Sequence, residues 1–163
     1  MDITTIGKKF NEELIYDIGS GRMADTVLPY VFIKACTGLP ISRYGRLRMR
    51  KLMKDLEAET GQVGLFETTP LRELDIVVYN KLVTVVDELI KPEEIFEYDD
   101  FLGSLYEFFI LNQKNVNGEH YTPQSVSMLV SDILKHENPD AKSLYDPTCG
   151  SGRLLVNGLK AFS

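Results

Sequence analysis

Tryptophan is absent from this sequence, cysteine and histidine occur only twice each, and no stretch approaches the roughly 18 uninterrupted apolar residues of a membrane span. Each shortage closes off a class of protein. Cys36 and Cys149 lie too far apart for a Cys-x-x-Cys site and are too few for a disulfide framework, and the two histidines cannot complete a common zinc pattern with them, so no metal site is expected. A cytoplasmic compartment is the expectation that follows. The opening "MDITTIGKKFNEEL" has no basic leader followed by an apolar stretch, which speaks against secretion and against a membrane partner. Cations are in deficit as well: 18 Lys and Arg stand against 24 Asp and Glu, giving a net charge of −6 and an isoelectric point near 5.0. A protein devoted to coating nucleic acid or acidic membrane needs a cationic surplus, although a local surplus can sit inside a negative total.

What is present is ordinary globular material. The chain has 163 residues, 44% of them hydrophobic, enough for one domain with a real core and not enough to demand two. Phe10, Leu14 and Ile18 recur at helical spacing before "GSG" at 19–21 interrupts them. "DTVLPYVFIKACT", 25–37, is apolar nearly all round; helix is favoured over strand, with Pro29 expected in its first turn. After the loop "GLPISRYG", Met49, Leu52, Met53 and Leu56 form a stripe that runs to about Thr60. Thr69 and Pro70 read as the cap and first residue of a helix whose face is Leu71, Leu74, Val78, Leu82, Val85 and Leu89, ended by Lys91-Pro92. Asp100 can cap "FLGSLYEFFIL". Thr122-Pro123 repeats the cap-and-proline pairing ahead of Val126, Leu129, Val130 and Ile133, and "KSLYD" at 142–146 is the one clear strand candidate.

Helical packing gives way to a different kind of sequence in the Asn-rich loop at 112–120. The expected organisation is therefore a helical domain over 1–112 and a second domain beginning at 113. In "LYDPTCGSGRLL", an acidic residue ends a strand and is followed by Gly150, Ser151, Gly152 and a helix, a turn in which no Cβ keeps a ligand from the backbone. It is not a P-loop, which requires Lys at the helix start, nor a hydrolase elbow, since Ser151 lacks the Gly two positions before it. On its own such a turn is weak evidence for a ligand.

Two motifs together say more. "GEHYTP" (118–123) and "DPTCGSG" (146–152), separated by a helix, resemble in order and spacing the N6-adenine DNA methyltransferases, closest to the modification subunits of type I restriction-modification systems. The likeness is strong over about 101–162 and faint over 1–100, where only helical character agrees. It implies a mainly α chain: an N-terminal helical domain, then the first strand and helix of a truncated Rossmann-like methyltransferase domain at 113–163. It also implies S-adenosylmethionine as cofactor. Carried over by position, Glu119, His120, Tyr121, Thr122, Pro123 and Gln124 would lie along its methionine end. Asp146 would sit near its amino group, and Gly150, Ser151, Gly152 and Arg153 would present backbone to it. His120 reads as a solvated loop residue and Cys149 as a packed small side chain, neither of them catalytic.

The (Asn/Asp)-Pro-Pro-(Tyr/Phe) loop that holds a flipped adenine in this family has no counterpart here; Asn138-Pro139 precedes the strand and continues into Asp140. The chain thus resembles the N-terminal part of the enzyme. Taken alone it is expected to be inactive, with weak or absent cofactor binding and no catalytic residue. The complete enzyme would engage double-stranded DNA, a specificity subunit and other methyltransferase chains. Arg43, Arg46, Arg48, Arg50, Lys51 and Lys54, around the stripe of Met49, could contact DNA phosphates or form an ordinary solvated face. The competing reading is a helical protein- or DNA-interaction module that retains remnants of a cofactor site.

Overall fold

The computed structural model describes residues 2–67, 69, 73–95, 100–112 and 121–163. All regular structure among them is helical. The chain divides into two compact units, Met1–Val116 and Asn117–Ser163.

The first unit is built on α1 (Ile3–Ile18), α2 (Met23–Thr37), α3 (Arg46–Thr60), α4 (Ile76–Leu89), the single turn α5 (Pro92–Ile95) and α6 (Phe101–Leu111). The stripe of Phe10, Leu14 and Ile18 is buried as expected, but α1 starts well upstream of it because Asp2 caps it, its carboxylate accepting from the Thr5 amide at 2.9 Å. Gly19, at φ +85, ends the helix, a conformation that favours glycine. Around Phe10, whose complete burial contributes about 2–3 kcal/mol, the core gathers Val27, Tyr30 and Val31 of α2, Met49 and Met53 of α3, Tyr79, Leu82 and Val86 of α4, and Leu105 and Phe109 of α6. The Phe10 and Phe109 rings meet edge to face with centroids 6.1 Å apart. Gly7 lets α6 approach α1: a Cβ there would lie 2.3 Å from the Phe108 ring.

Two boundaries differ from expectation. The second helix is a helix, but it starts at Met23, so Pro29 lies inside it and not in its first turn; the Asp25 carbonyl loses its usual amide partner there. The fourth helix is not capped by Thr69. It begins at Ile76, where the Asp75 carboxylate accepts from the Val77 amide at 2.7 Å. A charged acceptor on an orphan amide makes the stronger start. Leu74 is buried ahead of the helix, and Pro70 and Leu71 lie outside the described residues. The end at Leu89, before Lys91-Pro92, and the Asp100 cap of α6, which accepts from the Gly103 amide at 2.9 Å, agree with the sequence pattern.

The second unit contains α7 (Gln124–Glu137) and α8 (Arg153–Phe162), packed on each other. Pro123, not Thr122, is the capping position of α7, and its carbonyl accepts from the Ser127 amide at 3.0 Å. The larger difference is the side α7 buries. Ser127 and Ser131 face inward, whereas Val126, Leu129, Val130 and Ile133, the expected packing stripe, are all at least 38% exposed. The α7–α8 seam takes the small polar residues, and no described element of this unit covers the apolar face.

The strand expected at 143–146 is not formed: this segment is neither helical nor paired. A strand exists through the ladder it shares, and the described residues supply no neighbour. Leu144 nevertheless lies against α8, where a Cβ on Gly158 would come within 2.6 Å of it.

Candidate functional site

The sequence-marked residues of the second unit fall around the start of α8. Asp146 opens the turn: one carboxylate oxygen accepts from the Thr148 amide at 2.8 Å and from the Thr148 hydroxyl at 3.1 Å, an arrangement common where Asp starts a turn. Its other oxygen, Oδ2, is buried and has no hydrogen-bond partner among the described residues. The chain then reverses through Gly150 at φ +54 and Gly152 at φ +84, closed by the Gly152 amide donating to the Cys149 carbonyl at 2.8 Å. Among the described residues nothing lies within 4 Å of where a Cβ on Gly152 would stand, and for Gly150 only the Thr148 carbonyl does, at 3.9 Å. The backbone of the turn is open to an approaching molecule. Cys149 is exposed, not packed as the sequence suggested, because the whole stretch 147–151 faces outward.

The Tyr-Thr-Pro segment is joined to this turn through side chains. Arg153, buried, donates from its guanidinium to the Thr122 carbonyl at 3.2 Å. Gln124 and Asn157 exchange amide hydrogen bonds of 3.2 and 3.4 Å, and Asn157 also donates to the Ser127 hydroxyl at 2.8 Å. Ser127 Oγ in turn donates to the Arg153 carbonyl at 3.3 Å. Thr122 and Gln124 are thus joined to Arg153 and Asn157, with Gly152 next to Arg153 in the chain, while Asp146 bonds within its own turn to Thr148 and Tyr121 is half-buried. Glu119 and His120 lie outside the described residues.

Sequence reasoning missed Asn157 and Ser127. A signal existed: Arg153 and Asn157 on one helix, and Ser127 and Ser131 on the other, stand four residues apart, so each pair shares a face.

The basic run on α3 is not uniform. Arg46 is half-buried, donates to the Leu74 carbonyl and sits 5.6 Å from the centroid of the Tyr79 ring, so it serves the fold. Arg48 stacks over the Tyr44 ring at 4.2 Å. Arg43, Arg50, Lys51 and Lys54 form no ion pair among the described residues, and Leu47, between them, is 84% exposed. No group of three or more described His, Cys, Asp and Glu residues could hold a metal ion. No described helix is long and apolar enough to cross a membrane.

Residues 97–163, which include the Tyr-Thr-Pro segment, Asp146 and the glycine turn, match the N-6 DNA Methylase family. This stretch belongs to that family. The curated proteins it resembles are methylase subunits of type I restriction enzymes. The chain is 30% identical over 113 residues to the type I restriction enzyme MpnII methylase subunit of Mycoplasma pneumoniae, covering 67% of this chain and 20% of that protein. It is 30% identical over 102 residues to the type I restriction enzyme MjaIX methylase subunit of Methanocaldococcus jannaschii, covering 59% and 17%. With the MjaVIII methylase subunit of the same organism it shares 38% over 60 residues, or 35% and 10%. The chain thus spans about a fifth or less of the length of these relatives. No solved structure matches it significantly.

Proposed function

We propose that this chain carries the helical part and the first cofactor-binding segments of an N6-adenine DNA methyltransferase of the type I modification kind. In this reading 1–112 is a helical domain and 113–163 opens the S-adenosylmethionine-binding domain. The observation that carries it is Asp146: a buried carboxylate oxygen left without a partner beside a glycine turn whose backbone is open. An orphaned buried acceptor is costly unless a ligand completes it, and an ammonium group is a fitting donor.

The residues present fit the methionine end of the cofactor. Asp146 Oδ2 would accept from the amino group. Gly150, Ser151, Gly152 and Arg153 would offer backbone at the unsatisfied start of α8. Glu119, His120, Tyr121, Thr122, Pro123 and Gln124 would line the other side. When bound, S-adenosylmethionine supplies an electrophilic methyl group on a sulfonium. What this chain's residues do is grip and orient; the loop that holds adenine is not among its 163 residues, and methylation belongs to the complete enzyme.

Residues 143–146 are read as the first strand of the sheet, which forms its ladder only when a neighbour is supplied. The contact of Leu144 with Gly158 supports this reading, since a strand and the helix after it pack in that way, and the open stripe of α7 is a face that a sheet would cover. For DNA the assignment narrows to Arg43, Arg48, Arg50, Lys51 and Lys54 as phosphate contacts, with Arg46 holding the helix in place. The specificity subunit and further methyltransferase chains are partners of the complete assembly.

The exposed apolar face of α7 also favours a second reading, an interaction module with a vestigial cofactor site. Equilibrium dialysis against labelled S-adenosylmethionine separates the two. Saturable binding that Asp146→Ala removes supports the cofactor reading, and no binding up to several millimolar supports the module.

A further inference from the structure

The seam between α7 and α8 is built the wrong way round for a simple hydrophobic contact. Along α7 the apolar side chains face away from α8, while Gln124, Ser127 and Ser131 face it; on α8 the buried residues are Arg153, Asn157 and Gly158. Apolar burial is non-directional and tolerates sliding of one helix on another, whereas hydrogen bonds fix both distance and orientation. Asn157 is the centre of this network. It is only 6% exposed, its carbonyl accepts from Gln124, and its amide nitrogen donates to both Gln124 and Ser127. Gln124 is the first residue of α7, directly after the Tyr-Thr-Pro segment, and the Arg153 carbonyl reached by Ser127 follows Gly152.

We infer that Asn157 is a positioning residue that ties the Tyr-Thr-Pro segment to the glycine turn, so that the two halves of the site meet a ligand as one preformed surface. The inference rests on the cofactor reading for what that surface binds, but the tie itself is a property of the ligand-free chain. Gln124 acts through the same bond: its amide is engaged with Asn157, so its part is to hold Thr122 in place. Preorganisation of this kind lowers the cost of ordering the site on binding.

Asn157→Leu keeps the volume of the seam and removes every hydrogen bond of the amide; Gln124→Met removes the shared amide pair from the other helix. Ser131→Ala is the control, because the Ser131 hydroxyl donates only within α7, to the Ser127 carbonyl at 2.9 Å. Amide spectra of the 15N-labelled, ligand-free chain are recorded first. For Asn157→Leu the resonances of residues 121–122 and of 150–152 should both shift or broaden, while those of the first unit stay in place. Gln124→Met should reproduce that pattern and Ser131→Ala should not. In dialysis against S-adenosylmethionine, Asn157→Leu should weaken binding about tenfold, equivalent to about 1.4 kcal/mol.

A folded Asn157→Leu chain whose changes stay within α8, with unaltered affinity, would overturn the inference. If that variant does not fold, Gln124→Met decides by the ligand-free spectra alone: shifts at both 121–122 and 150–152 support the tie, and changes confined to α7 overturn it. If the unsubstituted chain binds no S-adenosylmethionine, the cofactor reading fails, and the ligand-free spectra still decide whether Asn157 couples the two segments.

Discussion

Arg153 and Thr122 are joined through the guanidinium of one and the backbone carbonyl of the other, 3.2 Å apart. The bond links the first residue after the glycine turn to the middle of the Tyr-Thr-Pro segment, and it is a charged donor on a half-buried backbone acceptor. Arg153→Met should therefore loosen the second unit by about 1.5–3 kcal/mol, the usual loss for a hydrogen bond involving a charged group. Hydrogen exchange should show α7 and α8 amides losing protection while α1 to α4 keep theirs. Uniform loss through both units would contradict the assignment.

Two buried tyrosines of the first unit give opposite expectations. Their rings meet edge to face with centroids 6.1 Å apart, yet the Tyr79 hydroxyl donates to the Tyr44 carbonyl at 2.6 Å while the Tyr30 hydroxyl has no partner among the described residues. Burial pushes the phenol of Tyr79 up to about 12 and that of Tyr30 higher. Tyr79→Phe strands an acceptor and should cost about 1–2 kcal/mol, whereas Tyr30→Phe deletes an unsatisfied polar atom and should be neutral or slightly stabilising. Urea midpoints of the two variants check the contrast, and equal losses would refute it.

Acid sensitivity should trace to Asp87. Its carboxylate pairs with Lys34 at 3.0 Å and accepts from the Ile41 amide at 3.0 Å and the Ser42 amide at 2.7 Å. Burial alone would raise its pKa, but the hydrogen bonds from Ser42, Lys34 and Ile41 outweigh that and hold it below the usual carboxylate range. A depressed folded pKa contributes stability that is complete above the unfolded value near 3.9 and fades as pH falls through the folded one. Denaturation midpoints should be insensitive to this group above about pH 5 and should drop below about pH 4. Asp87→Ala, which leaves the Lys34 ammonium nearly buried, should cost about 3 kcal/mol at neutral pH and flatten the acid limb. An unchanged acid limb would mean that another group sets it.

Much of this architecture was legible from local pattern. Phe10, Leu14 and Ile18, the stripe of Met49, and the Asp100 cap were read correctly because each depends on residues within a turn or two of one another. The misreadings share a different cause. Thr69 lost to Asp75 because both are competent caps and the charged side chain of Asp75 makes the stronger one. Val126, Leu129, Val130 and Ile133 do form one face of a helix, but periodicity reports a face and not what covers it. "KSLYD" has strand composition and no strand, since a ladder needs a second segment. Asp146 and the glycines were marked by motif; Asn157 was missed, because its spacing from Arg153 gains meaning only once α7 and α8 are set side by side.

Methyl transfer is expected to be absent from the isolated 163-residue chain, which has no (Asn/Asp)-Pro-Pro-(Tyr/Phe) loop to pocket the flipped base or contact its reacting nitrogen. Incubation with methyl-labelled S-adenosylmethionine and mixed-sequence duplex DNA should give no labelled DNA above a protein-free blank. Turnover by pure chain would show that a base pocket exists which the sequence does not reveal.

Titration of the 15N-labelled chain with S-adenosylmethionine, followed residue by residue, tests the cofactor site most directly. On the cofactor reading the residues that grip the methionine end are present, while the acid after a second strand that holds the ribose in the resembled family, and its (Asn/Asp)-Pro-Pro-(Tyr/Phe) loop, have no counterpart among the 163 residues. The loss of two or three good contacts should leave a dissociation constant of roughly a millimolar. The predicted result is saturable shifts confined to residues 121–122, 146 and 150–153, abolished by Asp146→Ala. Tight binding indifferent to that substitution, or shifts that map to the first unit, would contradict it.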